Sequence, residues 1–131
     1  MESANKYETM IGLEVHVQLS TSSKAYCSDA NLYGAEPNNC TSPISLAHPG
    51  TLPKPNKKVI EYAVKLGLAL TCDLSTENHY ARKNYYYTDL PKGYQITQDK
   101  TPICRNGFVQ IYDENGVSNK INLTRIHMEE D

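Results

Sequence analysis

Near each end the chain sets an acid and an imidazole two residues apart: Glu14 and His16 in "GLEVH", and His127 and Glu129 in "IHMEED". In an extended backbone that spacing puts both groups on one face. Glu14, His16 and Gln18 oppose Ile11, Leu13, Val15 and Val17, so their face meets water, a ligand or an ion. A solvated face and a metal cradle both fit this pattern. Near the other end, Glu129, Glu130 and Asp131 are adjacent, and three neighbouring acids repel unless solvated or neutralised by a cation. A frayed acidic end satisfies that pattern equally. If the two strands are neighbours, their acid–imidazole pairs could hold a divalent ion. Mg²⁺ prefers oxygen ligands, so a directly bound imidazole leaves Mn²⁺ open.

Between these segments, residues 81–98 interleave Arg82, Lys83 and Lys92 with Tyr85, Tyr86, Tyr87 and Tyr94. Cations so placed grip phosphates, while tyrosines stack on a base or donate hydrogen bonds. The glycine spacing of a Walker A loop is absent. A tyrosine-rich strand with solvated cations is the competing reading. His48 and His79 read as surface or satisfied core groups rather than ligands, and no Gly-x-Ser-x-Gly elbow is present. Nucleophilic hydrolase chemistry therefore has no local support.

These groups need elements to position them. Ile11, Leu13, Val15, Val17 and Leu19 recur at period two and predict a strand with one buried face. Residues 20–55 are rich in Ser, Asn, Pro and Gly, and read as a long loop packed on the domain through Ile44, Leu46 and Leu52. From Asn56, a candidate N-cap, Val59, Ile60, Ala63, Val64, Gly67 and Leu68 follow helical spacing, predicting a helix that ends near Leu70. Pro91-Lys92-Gly93 supplies a turn. A β-hairpin is expected from Phe108–Tyr112 and from Ile121 to about Met128, turning at Asn115-Gly116. Strands interleaved with one clear helix make the fold class α+β.

Composition excludes several roles. The chain has 131 residues, 39% hydrophobic and 21% charged, with a net charge of −2, which suits one soluble domain and gives no polybasic footprint for duplex binding. No apolar signal core or run of about 20 apolar residues is present, so an intracellular, cytoplasmic protein without membrane contact is expected. Cys27, Cys40, Cys72 and Cys104 form no Cys-x-x-Cys pair, which argues against structural zinc and for reduced thiols.

Taken together, "YETMIGLEVHVQL", "YGAEPN", "LAHPGTLPKPNKK", "RKNYYYTDLPKGYQIT" and "LTRIHMEED" resemble the B subunit of the glutamyl-tRNA(Gln)/aspartyl-tRNA(Asn) amidotransferases. The resemblance runs from Tyr7 to Asp131. It implies the N-terminal part of a catalytic domain similar to the glutamine synthetase/guanidino kinase class, an antiparallel sheet with flanking helices. It further implies ATP and Mg²⁺ as cofactors in phosphorylating the side-chain carboxylate of mischarged Glu-tRNA(Gln) or Asp-tRNA(Asn). Ammonia from the family's A subunit, a glutaminase, then displaces phosphate, and a small C subunit clasps the assembly. On this resemblance Glu14, His16, Glu129 and Glu130 serve the metal, and Lys83, Asn84, Tyr85 and Lys92 the nucleotide, with Glu14, His16 and Lys83 as the catalytic set.

Two departures stand out. Many family members carry Cys-x-Cys and Cys-x-x-Cys in the loop after the first strand. Here those positions read Cys27-Ser28-Asp29 and Cys40-Thr41-Ser42-Pro43, so half the zinc ligands are missing. The family also continues beyond "HMEED" with the rest of the catalytic domain, a helical domain and a tail. The chain is therefore expected to be a piece that is inactive alone. Two rival readings remain: a noncatalytic module binding RNA or protein through the Lys/Arg/Tyr stretch, and the archaeal-type E-subunit homologue.

Overall fold

The computed structural model describes residues 7–130. Among them lie one helix, α1 (Lys57–Ala69), and seven short strands: β1 (Asp73–Leu74), β2 (Ala81–Asn84), β3 (Tyr94–Thr97), β4 (Cys104–Arg105), β5 (Phe108–Tyr112), β6 (Ser118–Asn122) and β7 (Arg125–Ile126). Every strand pairing is antiparallel. β4 lies between β1 and β7, while β2–β3 and β5–β6 are separate two-stranded hairpins. The expected "flanking helices" reduce to α1 among the described residues.

The helix starts where its capping chemistry dictates. The Asn56 side-chain oxygen accepts the Lys58 N–H at 2.9 Å, and its Nδ2 donates to Ser23 Oγ at 2.9 Å. Asn56 thus caps the helix and fastens it to the long loop. Val59, Ala63 and Gly67 recur every fourth residue and form the buried stripe. Gly67 is required there because a Cβ would come within 2.4 Å of Cys104 Sγ on β4. The helix stripe joins Tyr26, Ile96, Ile103, Cys104 and Met128 in the core, where Tyr26 meets Tyr80 edge-on at 5.0 Å.

Two expectations need correction. The period-two segment before Ser20 is not a strand, and it pairs with no described residue. Ile11, Leu13, Val15 and Val17 are between 66% and 85% exposed, so the face expected to be buried is open. Alternation sorts side chains onto two faces, but a strand also needs a neighbour for its N–H and C=O groups. Side-chain hydrogen bonds to the rest of the chain begin at Gln18, whose Nε2 donates to Asn31 Oδ1 at 3.1 Å, while Asn31 Nδ2 donates to the carbonyl oxygens of Leu19 and Thr21. Leu19 then packs against the core.

The second correction concerns the C-terminal hairpin. Its return arm is Ser118–Asn122, not a strand running on to Met128, and Arg125–Ile126 pairs with β4 in another sheet. Asn106 and Gly107 carry φ of 56° and 95°, which breaks the ladder between β4 and β5. A Cβ at Gly107 would meet Leu70 O at 2.6 Å, so the left-handed turn sits hard against the helix end. The turn itself forms as expected: Asp113 Oδ1 accepts the Asn115 and Val117 N–H groups, and Gly116 takes φ of 77°.

Candidate functional site

The β2–β3 hairpin brings the central cations to the terminal acids. Its register sets Lys83 opposite Gln95, with Thr97 one step diagonal on the same face. Lys83 Nζ donates to Glu129 Oε1 at 2.9 Å, and Thr97 Oγ1 donates to Glu129 Oε2 at 2.7 Å. His127 Nε2 stands 3.5 Å from that second oxygen. The neighbouring acid uses different partners. Lys92 Nζ and the Ile96 N–H, the latter at 2.6 Å, both donate to Glu130 Oε1. The Glu130 N–H returns a bond to the Ile96 carbonyl at 3.0 Å. Two carboxylates and two ammonium groups therefore form alternating pairs across the hairpin. The Lys92 side chain is only 8% exposed, and Glu130 is its carboxylate partner.

Electrostatics follow from these contacts. Burial pushes the Glu129 carboxyl up, but hydrogen bonds from Lys83 and Thr97, with the nearby Lys83 and His127 charges, hold it below its ordinary value of 4.5. The hydrogen bond to Glu129 raises the Lys83 pKa, and the charge of Glu14 adds to this. Glu14 is thus within electrostatic reach of the hairpin although its segment is unpaired. Its nearest bonded partner is His16, whose Nε2 lies 3.1 Å from Glu14 Oε1.

The remaining anticipated residues divide. Asn84 pairs with Tyr94 at the hairpin mouth, and the Tyr85 N–H donates to the Gly93 carbonyl at 3.0 Å. Tyr85 stacks on Tyr87 with ring centroids 4.8 Å apart, leaving both partly open to solvent. Arg82 and Lys92 both lie over the Tyr94 ring, at 5.0 and 5.3 Å. Asp131 lies outside the described residues. Among those described, no three His, Cys, Asp or Glu side chains converge where they could hold a metal ion.

Three residues at this site carry little or no signal in the sequence. Thr97 is readable in principle, because a hairpin closed by "DLPKG" places it diagonal to Lys83. Gln98 and Tyr26 carry no local signal. Tyr26 is buried, its phenol oxygen has no hydrogen-bond partner, and it lines a cavity of about 30 Å³ with Lys92, Ser45 and Glu130. Burial first, then the charges of Tyr80, Glu130 and Glu129, raises its pKa far above the ordinary tyrosine value.

A family profile described as "GatB/GatE catalytic domain" matches residues 9–131. The chain belongs to the GatB/GatE catalytic-domain family. It is 52% identical over 126 residues to the B subunit of an aspartyl/glutamyl-tRNA(Asn/Gln) amidotransferase of Clostridium kluyveri, covering 96% of this chain and 26% of that protein. Proteins of the same name from Clostridium tetani and Clostridium botulinum are 50% and 53% identical over 125 residues, covering 95% of this chain and 26% of each. The chain thus spans about a quarter of the length of these relatives. In the loop of this GatB/GatE family member, Asp29 Oδ2 accepts the Ser45 hydroxyl at 2.6 Å. Lys24 Nζ donates to the Cys40 carbonyl at 2.7 Å. Hydrogen bonds therefore close this family member's loop. No described helix is long and apolar enough to cross a membrane.

Proposed function

We propose that this chain is the N-terminal part of the catalytic domain in the B subunit of a tRNA-dependent amidotransferase, with a glutamine synthetase/guanidino kinase-like fold when complete. The reaction begins when the side-chain carboxylate of Glu-tRNA(Gln) or Asp-tRNA(Asn) attacks the γ-phosphorus of ATP and ADP leaves. Ammonia delivered from the glutaminase (A) subunit then attacks the acyl carbon and phosphate leaves, while the small C subunit secures the assembly. The observation carrying this reading is the Lys83–Glu129 and Lys92–Glu130 array on one hairpin, within the charge of Glu14.

Phosphoryl transfer asks a protein for positioning and charge compensation, not for a covalent nucleophile. Lys83 is suited to offset negative charge on the transferred group because its ammonium is held at a fixed place by Glu129, itself anchored by Thr97. Lys92 would meet the nucleotide side, and the stacked Tyr85 and Tyr87 offer an aromatic surface for a base. Mg²⁺, held by Glu14, His16, Glu129 and Glu130, would supply neutralisation of phosphate oxygens.

Replacing Glu14 with Ala in the full-length assembled enzyme is expected to lower ATP-dependent amidation by about 10²–10³-fold, the range for loss of one transition-state electrostatic contact. Glutamine hydrolysis by the glutaminase subunit should persist, measured in parallel as glutamate release. Amidation at near-normal rate would sink the role given to Glu14. It would favour the rival binding module, which needs only the Lys/Arg/Tyr surface.

A further inference from the structure

The segment that delivers Glu129 and Glu130 is not itself part of a sheet. β7 ends at Ile126, and residues 127–130 follow without regular structure. Their placement must come from elsewhere, and a slip of one residue would bring a different side chain to each lysine.

Gln98 provides that placement. It follows β3 directly and is 1% exposed. Its Oε1 accepts two backbone N–H groups, from Ile103 at 3.1 Å and from Met128 at 3.2 Å. Its Nε2 donates to Asn78 Oδ1 at 3.1 Å, and Asn78 Nδ2 donates to the Ser75 carbonyl at 3.0 Å. One buried amide thus ties together the β1–β2 connection, the β3–β4 connection and the residue immediately before the acidic pair. Buried amides of this kind are costly unless fully partnered, and this one uses its carbonyl for two main-chain donors. The Met128 side chain is buried in the core beside it, so the main chain at 128 is fixed by both packing and hydrogen bonding.

We propose that Gln98 is a positioning residue that sets the register of Met128–Glu130, aligning Glu129 with Lys83 and Glu130 with Lys92. The inference rests on the reading of these acids given above, but concerns a residue that touches neither substrate nor cofactor. It predicts that the acceptor oxygen is what matters, and that either residue offering it will serve. Gln98→Glu keeps the carbonyl acceptor toward Ile103 and Met128, and burial favours its neutral form, whose hydroxyl takes over the bond to Asn78 Oδ1. Gln98→Met fills similar space and offers no comparable acceptor.

The test uses the full-length assembled enzyme. Gln98→Met should lower kcat for amidation about tenfold or more per folded molecule, with KM for glutamine and glutaminase rate unchanged, while Gln98→Glu stays within about threefold of the parent. A second readout does not depend on turnover: limiting acetylation by acetic anhydride, read by mass spectrometry. Lys83 and Lys92 should acetylate about threefold faster in Gln98→Met, relative to exposed Lys57 and Lys65 on α1, and return to the parental ratio in Gln98→Glu. General destabilisation would not single out those two lysines. An unchanged labelling ratio and unchanged kcat in Gln98→Met would overturn the proposal. Should Gln98→Met fail to assemble, Gln98→Glu decides: parental kcat and labelling support the proposal, and a loss greater than threefold in assembled enzyme overturns it. Glu129→Gln, run alongside, separates the two ideas. If it leaves amidation intact, the reading of the acids fails, whereas its inactivity with fully active Gln98→Met defeats the register role alone.

Discussion

The chain contains the same chemical pair three times, at Glu14/His16, Glu77/His79 and His127/Glu129, and the first and last have opposite outcomes. Glu14 and His16 touch at 3.1 Å with their side chains 75% and 71% exposed. Glu129 and His127 approach to 3.5 Å with theirs 18% and 23% exposed. In both, a spacing of two in an extended backbone brings acid and imidazole together, which is a local property. What differs is the supply of further partners. Glu129 also meets Lys83 and Thr97 from the β2–β3 hairpin, and Glu130 meets Lys92 and the Ile96 N–H. Glu14 receives only His16 as a bonded partner among the described residues, and contributes at a distance to Lys83. An acid becomes part of a site through contacts remote in sequence, not through its immediate neighbours.

That contrast can be broken most sharply at Glu130. Replacing it with Ala strips the mostly buried Lys92 ammonium of its counter-charge and leaves the Ile96 N–H without its acceptor. A loss of about 3 kcal/mol is expected in chemical denaturation, the scale for removing one member of a buried pair. A loss below about 1 kcal/mol would mean that solvent reaches Lys92 freely.

A smaller effect should appear on acidification. The Glu129 pKa is depressed in the folded state, so its contribution is complete above the ordinary 4.5 and lost as pH falls through the folded value. Lys83→Met removes the leading cause of that depression. The variant's stability should therefore depend less steeply on pH below 4.5 than the parent's, with the two curves converging at the acid end. Parallel curves over that range would show that Lys83 does not hold the Glu129 proton off.

The smallest effect belongs to the other region. Val15→Thr keeps strand-compatible branching and removes an apolar methyl that is already exposed. Stability of the 131-residue chain should stay within about 0.5 kcal/mol. A loss above about 1.5 kcal/mol would show that this face is covered in solution.

The two regions also mark what the sequence can convey. The helix is readable to its cap, because Asn56 and the Val59, Ala63, Gly67 stripe are local signals acting over one or two turns. The Asn115-Gly116 turn is readable for the same reason. The segment from Ile11 to Val17 has the pattern of a buried face without the burial, since pattern cannot name the surface that would cover it. The end of the last hairpin is hidden because the positive φ at Asn106 and Gly107 breaks the ladder where Gly107 lies against the helix end, a tertiary effect. At the site, the residue types at 83, 92, 129 and 130 are visible, but their pairing depends on hairpin register. Gln98 leaves no trace because a lone Gln after a strand looks like any surface amide.

The edge-on contact of Tyr26 with Tyr80 has an optical consequence. The chain has ten tyrosines and no tryptophan, so its near-ultraviolet absorption is almost wholly phenolic. Burial raises the pKa of Tyr26 far above the ordinary tyrosine value, and that of the partly covered Tyr80 as well, so the buried Tyr26 ionises late as alkali is added. A raised folded pKa here belongs to a group buried neutral. Stability is therefore unaffected below the ordinary tyrosine value of 10.0 and falls as pH climbs from there toward the folded value, because the unfolded chain loses its proton first. The last phenolate to form therefore reports the opening of the core, giving the interior a colour change of its own without any introduced probe.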